Sequence, residues 1–425
     1  MPSAVKSGDA LVVVPQTSVR QRLMIYGYIG FLYCIWPFTG IWGTSAVFYM
    51  KDHLHMPANE IAQFLLLKNI PGYVGFIFGF VRDRWGPFGR RDQGLLILFC
   101  GLSTALLLLA VGVSFTYVSL LLVFVASSIL GQFIGAALQG LTSVIAQEHL
   151  MTGRLSSVWQ AASWTPAMLV SIVAGRVATD YNIRFAFLIS AAVGVVVTLF
   201  VFWRPKEVYD AAETAPIVSK SFSEDAKKLI GTKALYPIIL LLFIWNFTPG
   251  MGTPIQFYLT DTLHGTPTDF GNFNAIFNGC FIPSFLIYGF LCTRVKFRPL
   301  LWICTFIAVP QIMPLLMVHS TNTAMIAAVP MGLMGGPATA AYFDLLIRAC
   351  PSGLQGTAMM LGASVWLLSA ELGNVAGAVL YDHYHRFAPC AWATFFVYAC
   401  LIPVLYFVPK HLTATQEGEV SASPA

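Results

Sequence analysis

Two stretches of this chain, WPFTGIWGTSAVFYMKDHLH at residues 36–55 and WNFTPGMGTPIQFYLTDTLH at residues 245–264, are one pattern written twice. At a constant offset of 209, Trp36, Phe38, Thr39, Gly43, Thr44, Phe48, Tyr49, Asp52, Leu54 and His55 meet Trp245, Phe247, Thr248, Gly252, Thr253, Phe257, Tyr258, Asp261, Leu263 and His264. A second echo runs at offset 202, where Ala174, Gly175, Val177, Asp180, Arg184, Phe185 and Ala186 meet Ala376, Gly377, Val379, Asp382, Arg386, Phe387 and Ala388. Repeats this long, each spanning several apolar segments, mark a chain built from two related halves.

The surrounding composition says what the halves are made of. The chain is 57% hydrophobic and only 10% charged, against about 25% charged residues in soluble domains. Apolar stretches recur throughout, long enough to cross a hydrocarbon core of roughly 30 Å. Twelve are read, at 23–50, 59–81, 94–113, 117–146, 155–179, 184–203, 235–259, 270–292, 300–317, 323–348, 356–381 and 387–408. Six crossings separate the repeated segments, and an even number returns the chain to the same side. The expected fold is therefore an all-α integral membrane protein with twelve transmembrane helices in two parallel six-helix repeats. The expected organisation is a tail at 1–20, a first bundle at 21–203, a linker at 204–233, a second bundle at 234–408 and a tail at 409–425. The linker is polar, with Pro205, Glu207, Asp210, Glu213, Pro216 and several lysines, and a short amphipathic helix is expected around 222–230.

Charge sets the orientation. Of the 24 lysines and arginines, 19 fall in the tails and the loops on the side of the termini, which predicts that both termini are cytoplasmic. The first twenty residues lack an apolar core followed by small residues, so the first apolar segment reads as a retained helix. If the chain is bacterial, its membrane is the inner, cell membrane. The net charge of +5 reflects this topology and not nucleic-acid binding. The eight cysteines show no paired spacing, and His383-x-His385 has no carboxylate or thiol cluster beside it, so neither metal nor cofactor is expected. No nucleophile–base pair or phosphate-binding glycine loop points to an enzyme.

A loop motif narrows the family. Gly79-Phe-Val-Arg-Asp83-Arg84-Trp-Gly86, followed by Arg90 and Arg91, resembles the motif between helices 2 and 3 of the major facilitator superfamily. The resemblance implies a gating latch, in which an aspartate at a helix end and arginines on a tight turn bind neighbouring helices through charged hydrogen bonds. In the second half Gly289, Phe290 and Arg294 remain, but Thr293 stands where the aspartate is expected. The insertion Pro87-Phe88-Gly89 resembles the expanded loop of the folate–biopterin transporter family and its relatives. Lys68-Asn-Ile-Pro71 is similar to that family's Lys-Pro in helix 2. Cys350-Pro351-Ser-Gly353-Leu-Gln355-Gly356-Thr357 resembles its Cys-Pro-x-Gly-x-Glu-Gly-Thr, with glutamine in place of glutamate.

Polar residues inside a membrane are costly and mark function by default. Lys68 lies nine residues beyond Asn59, about 13 Å into the membrane at 1.5 Å per residue. It reads as a cationic anchor facing the central cavity, within reach of Asn69, Asn278 or Glu371; the rival reading is a buried ion pair. Gln63 and Asn69 share its helix, and Asn69 meets Asn278 at the repeat offset. Proline and glycine interrupt segments 1 and 7, where Asn246 and Gln256 are placed to bind a polar ligand. Gln160 and Trp164 lie one turn apart on segment 5. Gln132 and Gln139 on segment 4 line a cavity or join helices. Glu371, alone in segment 11, is the proton-coupling candidate, with an ion pair to Lys68 or another cation as its rival reading. Asp344 and Arg348 read as a structural pair. The expected protein is a monomeric secondary transporter in the lipid bilayer. It moves a small polar, anionic organic solute, folate- or pterin-like by resemblance, by alternating access with a proton as coupling ion. A muropeptide or glycoside carrier, and a non-transporting receptor or scaffold, are the alternatives.

Overall fold

The computed structural model describes residues 4–7, 10–13, 17–56, 58–214, 222–414 and 416–418. A two-stranded antiparallel hairpin, Ala4–Ser7 with Ala10–Val13, precedes the helices. All twelve expected segments are helical. In the first half these are α1 (Val19–Asp52), α2 (Ala58–Tyr73 continuing as Phe76–Arg84), α3 (Arg91–Val111), α4 (Tyr117–Glu148), α5 (Thr152–Asp180) and α6 (Ile183–Phe202). The second half holds α7 (Leu235–Asn246, then Thr253–Phe257), α8 (Pro267–Leu291), α9 (Phe297–Met317), α10 (Thr321–Ala349), α11 (Gln355–Tyr384) and α12 (Phe387–Phe407).

Among the described residues, ten helical stretches are long and apolar enough to cross a membrane. Two of the expected segments lie outside that number. Leu235–Asn246 ends at a break and meets the linker helix before it at 77°; counted as one bent span, the pair makes an eleventh. Helix α5 is 29 residues long and carries Ser156, Ser157, Gln160, Ser163 and Thr165. Ser157, Ser163 and Thr165 return their hydroxyls to carbonyls one turn back on the same helix, which lowers the cost of holding them in an apolar setting.

Local sequence explains the boundaries. Ser18, Thr116, Thr266 and Ser320 each cap a helix N-terminus in a reciprocal capping box. Pro37 opens a 3₁₀ turn, Trp36–Gly40, inside α1. At the matching place in the second half, Pro249, Gly250 and Gly252 open α7 altogether, and Gly252 takes φ +66°. The amides freed there are held by neighbours: Gly250 N–H donates to Thr394 Oγ1 at 2.6 Å and Thr253 N–H to Asn374 Oδ1 at 2.8 Å. Large apolar side chains such as Leu109, Leu122, Leu199, Phe396 and Phe407 stay exposed on the outer faces, as lipid contact requires.

The halves meet most tightly at the end that carries both termini. There α2 and α11 approach so closely that a Cβ added at Gly79 would lie 2.6 Å from the Gly356 carbonyl oxygen. Farther in, Trp164 of α5 stacks on Phe281 of α8, ring centres 4.7 Å apart. The linker is tied to both halves. Its helix Lys206–Thr214 buries Tyr209, whose hydroxyl meets that of Tyr28 at 2.8 Å. Its helix Phe222–Gly231, where the amphipathic helix was expected, receives Arg84 on the buried Asp225 and sends Lys228 to the Ser352 carbonyl. We expect Gly79→Val to force α2 and α11 apart and to cost about 1–3 kcal/mol, as overpacking does. A lowered melting temperature in detergent checks it.

Candidate functional site

The motif around Asp83 makes a contact between the halves, with two members the sequence did not single out. Asp83 is buried at the end of α2. Its carboxylate accepts the backbone N–H groups of Gly356 (3.1 Å) and Thr357 (2.8 Å) and the Thr357 hydroxyl (2.6 Å). These are free donors of the first turn of α11, where a helix presents its positive end. Arg82, 1% exposed, places one guanidinium arm on Asp83 at 2.7 Å and forks onto Asp92 with two bonds of 2.6 Å. Arg82 and Asp92 are thus the missed residues. An arginine one position before the motif aspartate and an acid opening the next helix were the available signals. Arg84 binds Asp225, and Arg91 donates to the Asp83 carbonyl at 3.0 Å. Gly86 packs against the Arg91 backbone, and Arg90 caps α3 as an exposed residue.

Beside the latch, Gln147 of α4 donates to the carbonyls of Ile347 (2.7 Å) and Cys350 (2.9 Å) and accepts from Gln355 (3.1 Å). Ser156 donates to the Ala340 carbonyl at 3.0 Å. These bonds cross between the halves and close the termini end of the bundle. The Asp344–Arg348 pair forms at 2.8 Å as expected, with Tyr288 donating to the other carboxylate oxygen at 2.8 Å.

Lys68 corrects one expectation. Its ammonium sits inside the first half, 5.1 Å from the centre of the Phe124 ring. It lines a cavity of about 290 Å³ built from α1 (Trp36, Thr39, Trp42), α2 (Lys68, Asn69), α3 (Ser103) and α4 (Phe124, Ser127, Ser128). Neither Asn278 nor Glu371 lines that cavity. Lys68 and Asn69 enter this cavity against α1 and α4, while Gly72 and Gly75, farther along α2, approach Leu367 and Ser364 of α11. Among the described residues Lys68 has no carboxylate within ion-pair distance, and the buried Ser127 hydroxyl has no hydrogen-bond partner. A half-buried ammonium without a carboxylate and a hydroxyl without a hydrogen-bond partner thus share an open cavity beside aromatic rings.

Asn69 lines the same cavity, whereas Glu371 of α11 is exposed and lies outside it. Gln160 is buried with an unpartnered amide nitrogen, and Trp164 is spent on Phe281. Asn246 donates to the Trp366 carbonyl at 2.5 Å and holds α7 to α11. Gln63 and Gln256 are exposed and Asn278 is half-buried; none of the three lines the chamber. The repeated tryptophans have diverged as well: Trp36 lines the chamber, whereas Trp245 is buried and donates to Thr339 at 3.0 Å.

Comparison with known proteins agrees with this architecture. The sequence profile of the Major Facilitator Superfamily matches residues 27–374. The chain belongs to the major facilitator superfamily. Membership makes it a multi-pass membrane transporter and sets the enzyme class aside. It is 24% identical over 284 residues to Folate transporter 1 of Plasmodium falciparum, a match covering 65% of this chain and 55% of that protein. The chain thus matches about half the length of that relative. It is 23% identical over 360 residues to the Folate-biopterin transporter of Synechocystis sp., covering 80% of this chain and 72% of that protein. In fold it is similar to the human organic anion transporter MFSD10 (TETRAN), with TM-score 0.68 and 13% identity. It is also similar to the transporter FucP in its outward conformation, with TM-score 0.67 and 12% identity. Each superposition covers 92% of this chain and 100% of the other.

Arg82→Leu should strip the partner from two buried carboxylates. We expect a loss of about 3–5 kcal/mol, typical of breaking a buried pair from one side, with much of it recovered in the double variant Arg82→Leu, Asp92→Leu. Thermal melting of the two purified variants checks this.

Proposed function

We propose that the chain is a secondary transporter that moves a small anionic organic solute, of folate or pterin type, by alternating access between two bundles at 21–203 and 234–408. The observation that carries the reading is the half-buried Lys68 ammonium, which has no carboxylate partner among the described residues. A charge held in an apolar bundle must be balanced, and the solute's own carboxylate or enolate does it here. The flanking rings of Trp36, Trp42 and Phe124 suit a flat heterocycle, and Ser103, Ser127, Ser128 and Asn69 suit its ring nitrogens and oxygens. At about 290 Å³ the chamber lies at the small end of ligand pockets, roughly 300–1,000 Å³. It takes a head group of one or two rings, and any tail extends beyond it. The similarity to carriers named for folate and biopterin supports the same class.

In this reading the termini end is cytoplasmic and the structure is the state closed to the cytoplasm. Asp83 on the α11 helix end is its latch, and the linker at 204–233 spans the closed gate. Glu371 is the proton carrier. The protein works as a monomer.

Counterflow in proteoliposomes across folates, pterins, muropeptides, sugars and amino acids tests the reading. We expect exchange of a folate or pterin, and a chain that exchanges none of these solutes overturns it. Lys68→Gln should weaken binding of the anionic solute about tenfold or more, the worth of a hydrogen bond to a charged group. The melting temperature should hold, because an unpaired charge has been removed; equilibrium binding and melting measured together show whether this is so. Asp83→Asn should slow exchange far more than it weakens binding, because it acts on the gate. Glu371→Gln should flatten the pH dependence of uptake while counterflow, which needs no net proton movement, persists.

A further inference from the structure

The second half lacks the latch aspartate, yet its helix end is not left bare. At offset 209, the spacing of the first repeat, Asp83 meets Cys292, and it is Cys292, not Thr293, whose side chain turns inward at the end of α8. At offset 202, the spacing of the second repeat, Gly356 meets Arg154 in the first turn of α5. Between these two positions sits the carboxylate of Glu417, with its side chain fully buried. Its oxygens accept the Arg154 backbone N–H at 3.1 and 3.3 Å, the Arg154 guanidinium at 2.7 Å and the Cys292 thiol at 2.7 Å. The tail is held on either side of it. Gln416 donates to the Thr293 carbonyl in the second half, and Gly418 N–H donates to the Leu150 carbonyl in the first at 3.0 Å. Gly153 leaves the room: an added Cβ would lie 2.7 Å from a Glu417 oxygen.

We propose that Glu417, from the C-terminal tail, is the latch carboxylate of the second half, doing for the first turn of α5 what Asp83 does for the first turn of α11. The proposal rests on the alternating-access reading above. The tail leaves the second half after α12 and lands on the first, so the contact must break whenever the termini end opens. Two carboxylates then hold that end shut, one within a helix and one on a strap. Burial and the nearby Asp344 lift the Glu417 carboxyl above the ordinary carboxylate range, against the pull of Arg154. The buried site therefore holds its charge at a cost that the undocked tail does not bear, as suits a contact built to release.

The test is amide hydrogen exchange on the full chain and on four variants: Asp83→Asn, Glu417→Ala, a chain ending at Ala414, and that shortened chain with Cys292→Asp. Glu417→Ala and the shortened chain should speed exchange about tenfold, the worth of a charged hydrogen bond. The acceleration should appear in residues 152–158 and also in residues 355–360, at the other latch. Cys292→Asp should restore slow exchange to both segments of the shortened chain by returning a carboxylate to the helix. Faster exchange confined to 152–158 and 289–294, or failure of Cys292→Asp to restore protection, overturns the proposal. If Asp83→Asn opens the end and the tail variants do not, the strap alone is refuted. If Asp83→Asn also leaves exchange unchanged, the closed end is not a gate, and the strap and the alternating-access reading fall together.

Discussion

A single buried carboxylate against a helix end organises this molecule. Asp83 gives up water on joining the first turn of α11, and three donors there replace it. That exchange is favourable only while α2 and α11 stay in contact, because an isolated buried charge is among the costliest groups in a protein interior. Arg82 makes the arrangement tolerable by neutralising Asp83 from behind, and Asp92 fixes Arg82 in turn. The contact thus has two settings, docked and solvated, with little reason to rest between them. This is the property a gate needs.

The same helix carries the candidate binding residue. Lys68 sits midway along α2 and Asp83 at its end, separated by Pro71 and the turn that follows Tyr73. Pro71 cannot donate to the carbonyl one turn back, so the helix is weakest between the chamber and the latch. The cavity at Lys68 and the contact at Asp83 are therefore joined by one element with one soft point.

Much of this was legible in sequence because its causes are local or repeated. The twelve segments follow from apolar length, the halves from the two offsets, and the latch from the spacing around Asp83. The breaks in segments 1 and 7 follow from proline and glycine. What escaped depends on helical phase. Placing Lys68 at mid-depth requires only counting, but knowing which helices it faces requires the packing of α2 against α1 and α4, which spacing along the chain does not carry. Arg82 escaped because an arginine in a basic loop looks solvated until its two acids are seen. Thr293 was preferred over Cys292 because the residual motif was aligned on Gly289 and Arg294. The side chain that points inward is set by the helix surface, one residue away.

Half of what holds Asp83 is main chain. Two of its four donors are peptide N–H groups that every residue except proline supplies. Beyond them the receiving side asks for room, since a Cβ added at Gly356 would lie 2.8 Å from an Asp83 oxygen. The first turn of α5, where Gly153 precedes Arg154, offers the same amide and the same room to a carboxylate from elsewhere in the chain.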